Sequence, residues 1–592
     1  MSLQRVDSVD PAEVYDYIIC GGGTSGCVIA GRLAEDLNAK ILVLEAGPDN
    51  ADLENVHMAG GWSKNFDSDT DWNIVTEPMD SVDSRQVKVS RGRFLGGSSG
   101  VNGTLCIRGT KQDYDDWGME EWTGDKMFAY MAKAETMHEK DWHKADMSVH
   151  GTSGPLHIEP HDLAPISERI KESMIDFGLP YHPDMFSTGE TPHGCGDVPR
   201  TVHQGVRTTA ADFITKGYKR ENITIKTEVV VDRIVFSETD GELTATGVAT
   251  ISTTGKKIEY QAKKEVIVTA GAYCSPTVLM RSGLGPKEQL KKHGIECRVD
   301  LPGVGQNLQD HCLVFVFYEV SEPNLTNDYL AYHDNAIAST YELYKEKKTG
   351  MLSTFPFGIF GYARLDDRLQ DSELWRSAAR EEGRDPMGLT PQQPNMEFWN
   401  TELYGGPKQY VDFPVDHKHT FAMCNLLFNQ KSRGSVTLKS SNPADNPVVD
   451  HNYLADPLDM LVMTEACRFA NEMVMNGSGT KSVVKGSWPA HLTHHTNTTR
   501  EDWIPHVKQH ATTCYHPSST CAMGPSSNPN AVLDSRLRVR GVRGLRVADV
   551  SSIPRVNNGH TQMVAYGVGE GAAEMIKEDA LAGQAGFLKL AE

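Results

Sequence analysis

The segment Tyr17-Ile18-Ile19-Cys20-Gly21-Gly22-Gly23-Thr24-Ser25-Gly26 constrains this 592-residue chain more than any other feature. Tyr17 to Cys20 reads as a short buried strand, and Cys27 to Leu37 has the apolar spacing of a helix through Val28, Ile29, Leu33 and Leu37. Between them Gly21, Gly23 and Gly26 fit G-x-G-x-x-G, the turn that brings a pyrophosphate to a helix N-terminus. Gly21 permits the tight turn, Gly23 lets backbone N–H groups approach the phosphates, and Gly26 lets helix and strand pack closely. A second strand, Leu42-Val43-Leu44, ends at Glu45, where a carboxylate takes the ribose hydroxyls of a bound dinucleotide. Strand, glycines, helix and strand-end acid occur in the order a βαβ nucleotide site requires.

Length and charge narrow the rest. A chain of 592 residues exceeds what one hydrophobic core supports, so at least two domains are expected, and 39% hydrophobic residues suffice for both. The formal charge of −21 disfavours nucleic acid and anionic membranes as partners. No run approaches the roughly 20 apolar residues that span a bilayer, and the polar start with Pro11 does not read as a secretion signal. Eleven cysteines without paired spacing read as reduced thiols, with no zinc pattern. Residence inside the cell is therefore expected. A secreted protein with its signal removed is the alternative, since N-x-S/T triplets start at Asn102, Asn222, Asn324, Asn476 and Asn497.

Strand-like runs recur at Ile223 to Phe236 and Lys264 to Ala272, and again at Gly544 to Asp549, where the chain returns to its first domain. Between about Glu319 and Asp534 the character changes to longer loops, alternating strands such as Ser435 to Leu438, and a charged stretch, Leu365 to Arg384, read as a solvated helical face. The expected division is residues 10–318 with 535–592 as the nucleotide domain, interrupted by pieces of the substrate domain, and 319–534 as the substrate domain proper.

Two further segments are rich in small residues. Arg91 to Asn102 carries four glycines and two serines beside basic side chains, which suits close approach to a phosphate or a flat ring; a flexible surface loop is the plainer reading. Gly271 to Gly285 joins a strand to a helix that stops at glycine, and by itself reads as an ordinary strand-turn-helix with Ser275 as cap and Pro276 at the first helical position.

With the opening segment, these two resemble the glucose-methanol-choline (GMC) family of flavin oxidoreductases. The third segment fits the family's second signature at every specified position, and the second fits its first signature except at Cys106, where aromatic residues or alanine are usual. The resemblance continues through Leu301 to His311, Ser432-Arg433-Gly434, Asn452-Tyr453-Leu454 and the C-terminal segment, nearly the whole chain. It implies an α/β fold in which a Rossmann-like FAD-binding domain of the p-hydroxybenzoate-hydroxylase type joins a substrate domain built on an antiparallel sheet with helices.

The resemblance also implies where FAD lies. Gly21, Gly23, Thr24, Ser25, Gly26 and Ala46 are among the cofactor-binding residues, with Glu45 on the adenosine ribose and Val230 near the adenine. Arg93, Gly97, Ser98, Asn102, Gly103 and Thr104 run along the pyrophosphate and isoalloxazine. Asp549 lies near the ribityl-phosphate region, and Ala270, Gly271, His560 and Thr561 are further cofactor-binding residues. Some members tether FAD through a histidine just before the loop's asparagine; here Val101 stands there, so non-covalent binding is expected.

Cys514-Tyr515-His516-Pro517 and Asn557-Asn558-Gly559-His560 supply the two positions that face the flavin in this family. Oxidising an alcohol removes a hydroxyl proton and moves a hydride from the same carbon. An imidazole with an ordinary pKa of about 6.5 accepts that proton near neutrality. His516 is assigned as base and His560 as partner of the developing alkoxide. The run His491-Leu492-Thr493-His494-His495 has spacing that suits a metal but no carboxylate or cysteine partner, and reads as a solvated polar loop; no metal is expected.

The expected reaction is FAD-dependent oxidation of a small or aromatic primary alcohol to an aldehyde, with O2 as acceptor giving hydrogen peroxide. The alternatives are a dehydrogenase with a quinone-type acceptor and a non-redox hydroxynitrile lyase on the same fold. A nicotinamide-linked dehydrogenase would use the first segment and leave the others without a role.

Overall fold

A computed structural model describes residues 13–36, 38–216, 221–405 and 415–590. The opening strand, Val14–Cys20, lies inside a seven-stranded sheet of order Ile223–Lys226, Ile41–Leu44, Val14–Cys20, Lys257–Val268, Glu242–Ser252 and Val229–Thr239, with Leu545–Val547 pairing Lys257–Val268. Pairing is parallel from Ile223–Lys226 through Lys257–Val268 and at Leu545–Val547, and antiparallel across the other two strands. At the centre of the sheet the strand ends Tyr17 to Cys20, Ile41–Leu44 and Val266 to Val268 are buried apolar runs, as strands covered on both faces require. In register, Cys20 stands beside Leu44 and Val268, and Val268 beside Val547. The residues that follow, Gly21, Glu45, Thr269 to Gly271 and Asp549, thus emerge together at the carboxyl ends of the strands, where open α/β sheets bind their ligands.

The first helix, Thr24–Asp36, packs against the C-terminal helix Thr561–Leu590. A Cβ on Gly569 would come within 2.8 Å of Val28 Cβ, so glycine sets that approach. Ser25 Oγ donates to the Ala565 carbonyl at 2.7 Å and Arg32 Nε to Glu570 Oε1 at 2.7 Å, both buried. The segment that ends the chain therefore fixes the helix that begins the nucleotide site.

A second seven-stranded sheet is antiparallel throughout, in the order Val484–Ser487, Cys312–Val320, Thr420–Leu427, Met396–Thr401, Phe357–Ala363 and Gly194–Gly196, with Ala511–Thr513 also paired to Cys312–Val320. Cys312–Val320 runs across position 318/319, and Gly194–Gly196 joins the same sheet from well inside the first expected domain. Side chains alternate with the period of two. Val314, Val316 and Tyr318 join the core that includes the helix Pro457–Asn476, whereas Leu313, Phe315 and Phe317 join a separate aromatic cluster with Phe360 and Trp399.

The stretch Leu365 to Arg384 departs from the sequence expectation. It forms two short helices, Asp366–Leu369 and Glu373–Ser377, followed by turns. Asp367, Asp371, Glu373, Arg376, Arg380, Glu381 and Glu382 are exposed, but two arginines are tied inward: Arg368 Nε reaches the fully buried Glu465 at 2.6 Å, and Arg384 Nη2 reaches Asp116 at 2.7 Å. Long side chains here act as clasps between segments distant in sequence.

Candidate active site

One cavity runs from the carboxyl ends of the parallel strands to the aromatic face of the antiparallel sheet. At the first end its wall is largely backbone. Gly21 sits at φ +118, and a Cβ there would lie 2.5 Å from the Thr269 carbonyl oxygen. A Cβ on Gly26 would lie 2.1 Å from the Gly21 oxygen, so only glycine lets the helix start against the strand. Gly23 differs: its Cβ would meet nothing closer than Thr269 O at 3.9 Å, so its bare backbone opens on the cavity. The loop Gly97–Gly100 closes over it, with Gly96 N donating to Gly22 O at 2.7 Å.

Glu45 accepts from Gly22 N at 3.0 Å and Gly47 N at 2.9 Å, and burial pushes its carboxyl up to about 7. Asp549 accepts from Gly271 N at 2.8 Å and Ser275 Oγ at 2.6 Å. Ser275 is thus the first helical residue bracing Asp549, with Cys274 at the cap position. Thr24, Ser25, Ala46, Ser98, Asn102, Gly103, Val230, Ala270 and Thr561 also line the cavity. These features fit a dinucleotide: bare N–H groups at the start of a 13-residue helix, a strand-end carboxylate, and glycine loops that any side chain would fill.

Three residues expected at the cofactor stand off the wall. Gly26 is buried at the helix–strand contact. Arg93 lies with its guanidinium over the Trp72 ring at 5.4 Å, while its carbonyl packs against Gly47. Thr104 is buried at φ +66 and donates its N–H to Asn102 Oδ1 at 3.0 Å, so it shapes the loop from behind.

At the other end His516 and His560 stand side by side, ring centroids 4.6 Å apart. His516 follows the strand Ala511–Thr513, and its N–H donates to Asp310 Oδ1 at 2.7 Å. Its Nδ1 lies 2.9 Å from Nδ1 of His311, so one of the two rings carries its proton there. Burial, with His560, His311 and Arg91 nearby, holds His516 well below the ordinary histidine value rather than at it, and burial takes His311 down to about 3. His560 precedes the C-terminal helix, and its Nε2 lies 2.8 Å from Oε2 of Glu397, whose carboxyl burial raises.

Glu397 and His311 carry no role in the sequence reading. Glu397 has a legible signal: it is a lone acid within Met396-Glu397-Phe398-Trp399, and the period of two puts it with Trp399 on the face toward His560. His311 lies inside the quoted motif Leu301 to His311, but nothing in its spacing points to His516. The other histidine run is also not a solvated loop. His494 is buried with Nε2 2.8 Å from the Phe317 carbonyl, and His495 Nδ1 meets Ser487 Oγ at 2.8 Å. Around the imidazole pair the cavity is walled by Leu105, Leu313, Phe315, Phe355, Phe357 and Trp399.

Two models of the GMC oxidoreductase family match residues 15–313 and 430–569. Over nearly its full length the chain is 32% identical to the glucose methanol choline oxidoreductase atC of Aspergillus terreus, covering 96% of this chain and 92% of that protein. It is also 32% identical to an oxygen-dependent choline dehydrogenase of Paraburkholderia phytofirmans, covering 95% and 94%. Among solved structures, a formate oxidase superposes with a TM-score of 0.88 at 29% identity, over 96% of this chain and 99% of that one. A fungal aryl-alcohol oxidase, at 24% identity and a TM-score of 0.79, shares the fold over 96% and 99%. With the glycine loops and the histidine pair in place, these matches show that the chain belongs to the GMC oxidoreductase family, an FAD-dependent oxidoreductase.

Proposed function

We propose that the protein oxidises an apolar or aromatic primary alcohol to its aldehyde. The observation that supports this most directly is the paired imidazoles of His516 and His560 beside a mostly apolar and aromatic stretch of cavity wall, with Arg91 the charge nearby. When bound, FAD supplies the acceptor for the hydride. His516 acts as base: burial keeps it neutral at pH 7, and with Nδ1 engaged by His311 its Nε2 is the nitrogen left for the substrate hydroxyl. His560, held through Nε2 by Glu397, presents Nδ1 to the same oxygen and steadies the developing alkoxide. The aromatic walls exclude water and orient the carbon that loses hydride.

FAD binds without a covalent tether at position 101, since Val101 lines the cavity there and has no nucleophile. Oxygen is the proposed acceptor, with hydrogen peroxide as product. In this proposal the glycine loops, Glu45 and Asp549 hold the cofactor, and residues 319–534 form the bulk of the substrate domain.

The test is anaerobic mixing of the purified yellow protein with a panel of benzylic, aliphatic, choline and sugar alcohols, then readmission of air. Rapid bleaching by benzylic or aliphatic alcohols followed by fast reoxidation supports the proposal. Bleaching by choline or sugars alone would sink the substrate class, and reoxidation only by a quinone would sink the acceptor.

A further inference from the structure

Behind the catalytic end of the cavity lies a small hairpin, Val202–His203 paired antiparallel with Val206–Arg207, bracketed by two arginines that the proposed chemistry does not use. Arg207 is fully buried. Its Nη1 donates to the backbone oxygen of Asn102 at 2.8 Å and to Asn102 Oδ1 at 2.7 Å, while Nε and Nη2 have no hydrogen-bond partner. Arg200 is 2% exposed. Its Nη2 donates to the Phe357 carbonyl at 2.7 Å, its guanidinium lies over the Phe360 ring at 5.6 Å, and Nε and Nη1 have no partner. Asn102 and Phe357 both line the cavity, so each guanidinium stands one residue behind the wall.

The other buried arginines tell what is unusual here. Arg32, Arg108 and Arg546 each meet a carboxylate at 2.7 Å or closer. Arg200 and Arg207 form no ion pair with any described residue. Burial lowers them to about 10 and about 9, so both remain charged at neutral pH. Glu402, the first charge acting on Arg200, is already engaged by Ala164 N, Ser167 Oγ and His161. Among the described residues the groups acting on Arg207 are the hydroxyls of Tyr566 and Tyr344. A buried charge without a counter-ion is costly, and a neutral donor would satisfy the two oxygens of Asn102 equally well. The retained charge therefore points to an anion that no described residue supplies, beyond a wall one residue thick.

We propose that Arg200 and Arg207 form an electropositive backing to the cavity that stabilises the anionic two-electron-reduced cofactor and thereby raises its potential. The inference rests on the reading that FAD occupies this cavity. Fixed charges in a dry site are weakly screened, so they act through one residue without touching the ring.

Sulfite is a probe that needs no substrate. Its sulfur lone pair adds to N5 of the oxidised flavin, the yellow band bleaches, and the ring takes the negative charge. In holoenzyme, Arg207→Met is expected to weaken sulfite binding about tenfold or more and to lower the two-electron potential by the equivalent, about 30 mV or more. Arg200→Met is expected to move both in the same direction. Arg207→Lys, which keeps the charge but not the planar fork, is expected to recover most of the change; a purely structural role would leave it as impaired as Arg207→Met. Should Arg207→Met not yield holoenzyme, Arg200→Met and Arg200→Lys decide the matter by the same criteria. Yellow, folded methionine variants with unchanged sulfite affinity and potential would overturn the inference alone. A wild-type protein unable to take up flavin would instead overturn the reading beneath it.

Discussion

The half of the cavity around Gly23 and Glu45 is made of backbone, and the half around His516 and His560 is made of side chains. In the first, the proposed function comes from what is missing: a Cβ on Gly21 or Gly26 would meet a backbone oxygen, one on Gly97 would meet Gly23, and Gly23 leaves its own backbone open to the cavity. Local sequence encodes it, since three of the four lie within six residues. In the second, function comes from what is brought together. His311, Glu397, His516 and His560 arrive from four separate segments, and their protonation is set by burial and by each other. The lesson is that a phosphate site can be written in one short motif, whereas an acid–base site needs a finished core around it.

The largest expected effect breaks the backbone half. Gly26→Ala places a methyl 2.1 Å from the Gly21 oxygen, and neither backbone can yield. It should cost about 3 kcal/mol or more and leave the protein without flavin, read as loss of the 450-nm band and of soluble yield. Gly23→Ala, with only Thr269 O at 3.9 Å, should fold normally and lose cofactor affinity alone. Similar unfolding in both variants would erase the distinction drawn between these two glycines.

His516→Ala attacks the other half. It should keep the flavin spectrum and slow anaerobic flavin reduction by about 10²- to 10⁴-fold. If the rate holds within about threefold, the base lies elsewhere.

The two halves should also respond oppositely to pH. His311 and His516 have folded pKa values below their unfolded value of about 6.5, so the unfolded chain binds more protons as pH falls under 6.5. Their contribution to stability is complete above that pH and falls below it, by up to about 1.4 kcal/mol per unit for each. Glu45, raised to about 7, has the reverse sign: its contribution is complete below about pH 4.3 and is lost as pH rises toward 7. Melting temperatures between pH 5 and 7 should therefore rise with pH, and rise more steeply in Glu45→Gln. A flatter profile in that variant would contradict the assignment of sign.

The smallest expected effect refines the side-chain half. Glu397→Gln replaces a carboxylate 2.8 Å from His560 by a neutral amide and should slow flavin reduction by about tenfold to a hundredfold, the worth of one charged hydrogen bond. A changed KM with an unchanged limiting rate would make Glu397 a substrate contact instead.

Much of the fold was legible because parallel strands, glycine turns and the strand-end acids at Glu45 and Asp549 are local patterns. His516 and His560 were legible only through family resemblance, as nothing in their spacing of 44 residues sets them 4.6 Å apart. The charged stretch Leu365 to Arg384 misled for a related reason. Arg368 and Arg384 look solvated in sequence, yet their partners Glu465 and Asp116 lie far along the chain. His494 looked like part of a polar loop until the strand Cys312–Val320 offered it the Phe317 carbonyl.

By itself the sequence determined the nucleotide half: period, glycine placement and terminal acids act over distances shorter than one βαβ unit, where backbone sterics suffice. Only the tertiary structure decided which histidine is neutral, which acid orients its partner, and which arginines stay charged without a counter-ion. Those properties depend on desolvation and on neighbours from distant segments, and neither exists until the two sheets have closed around the cavity.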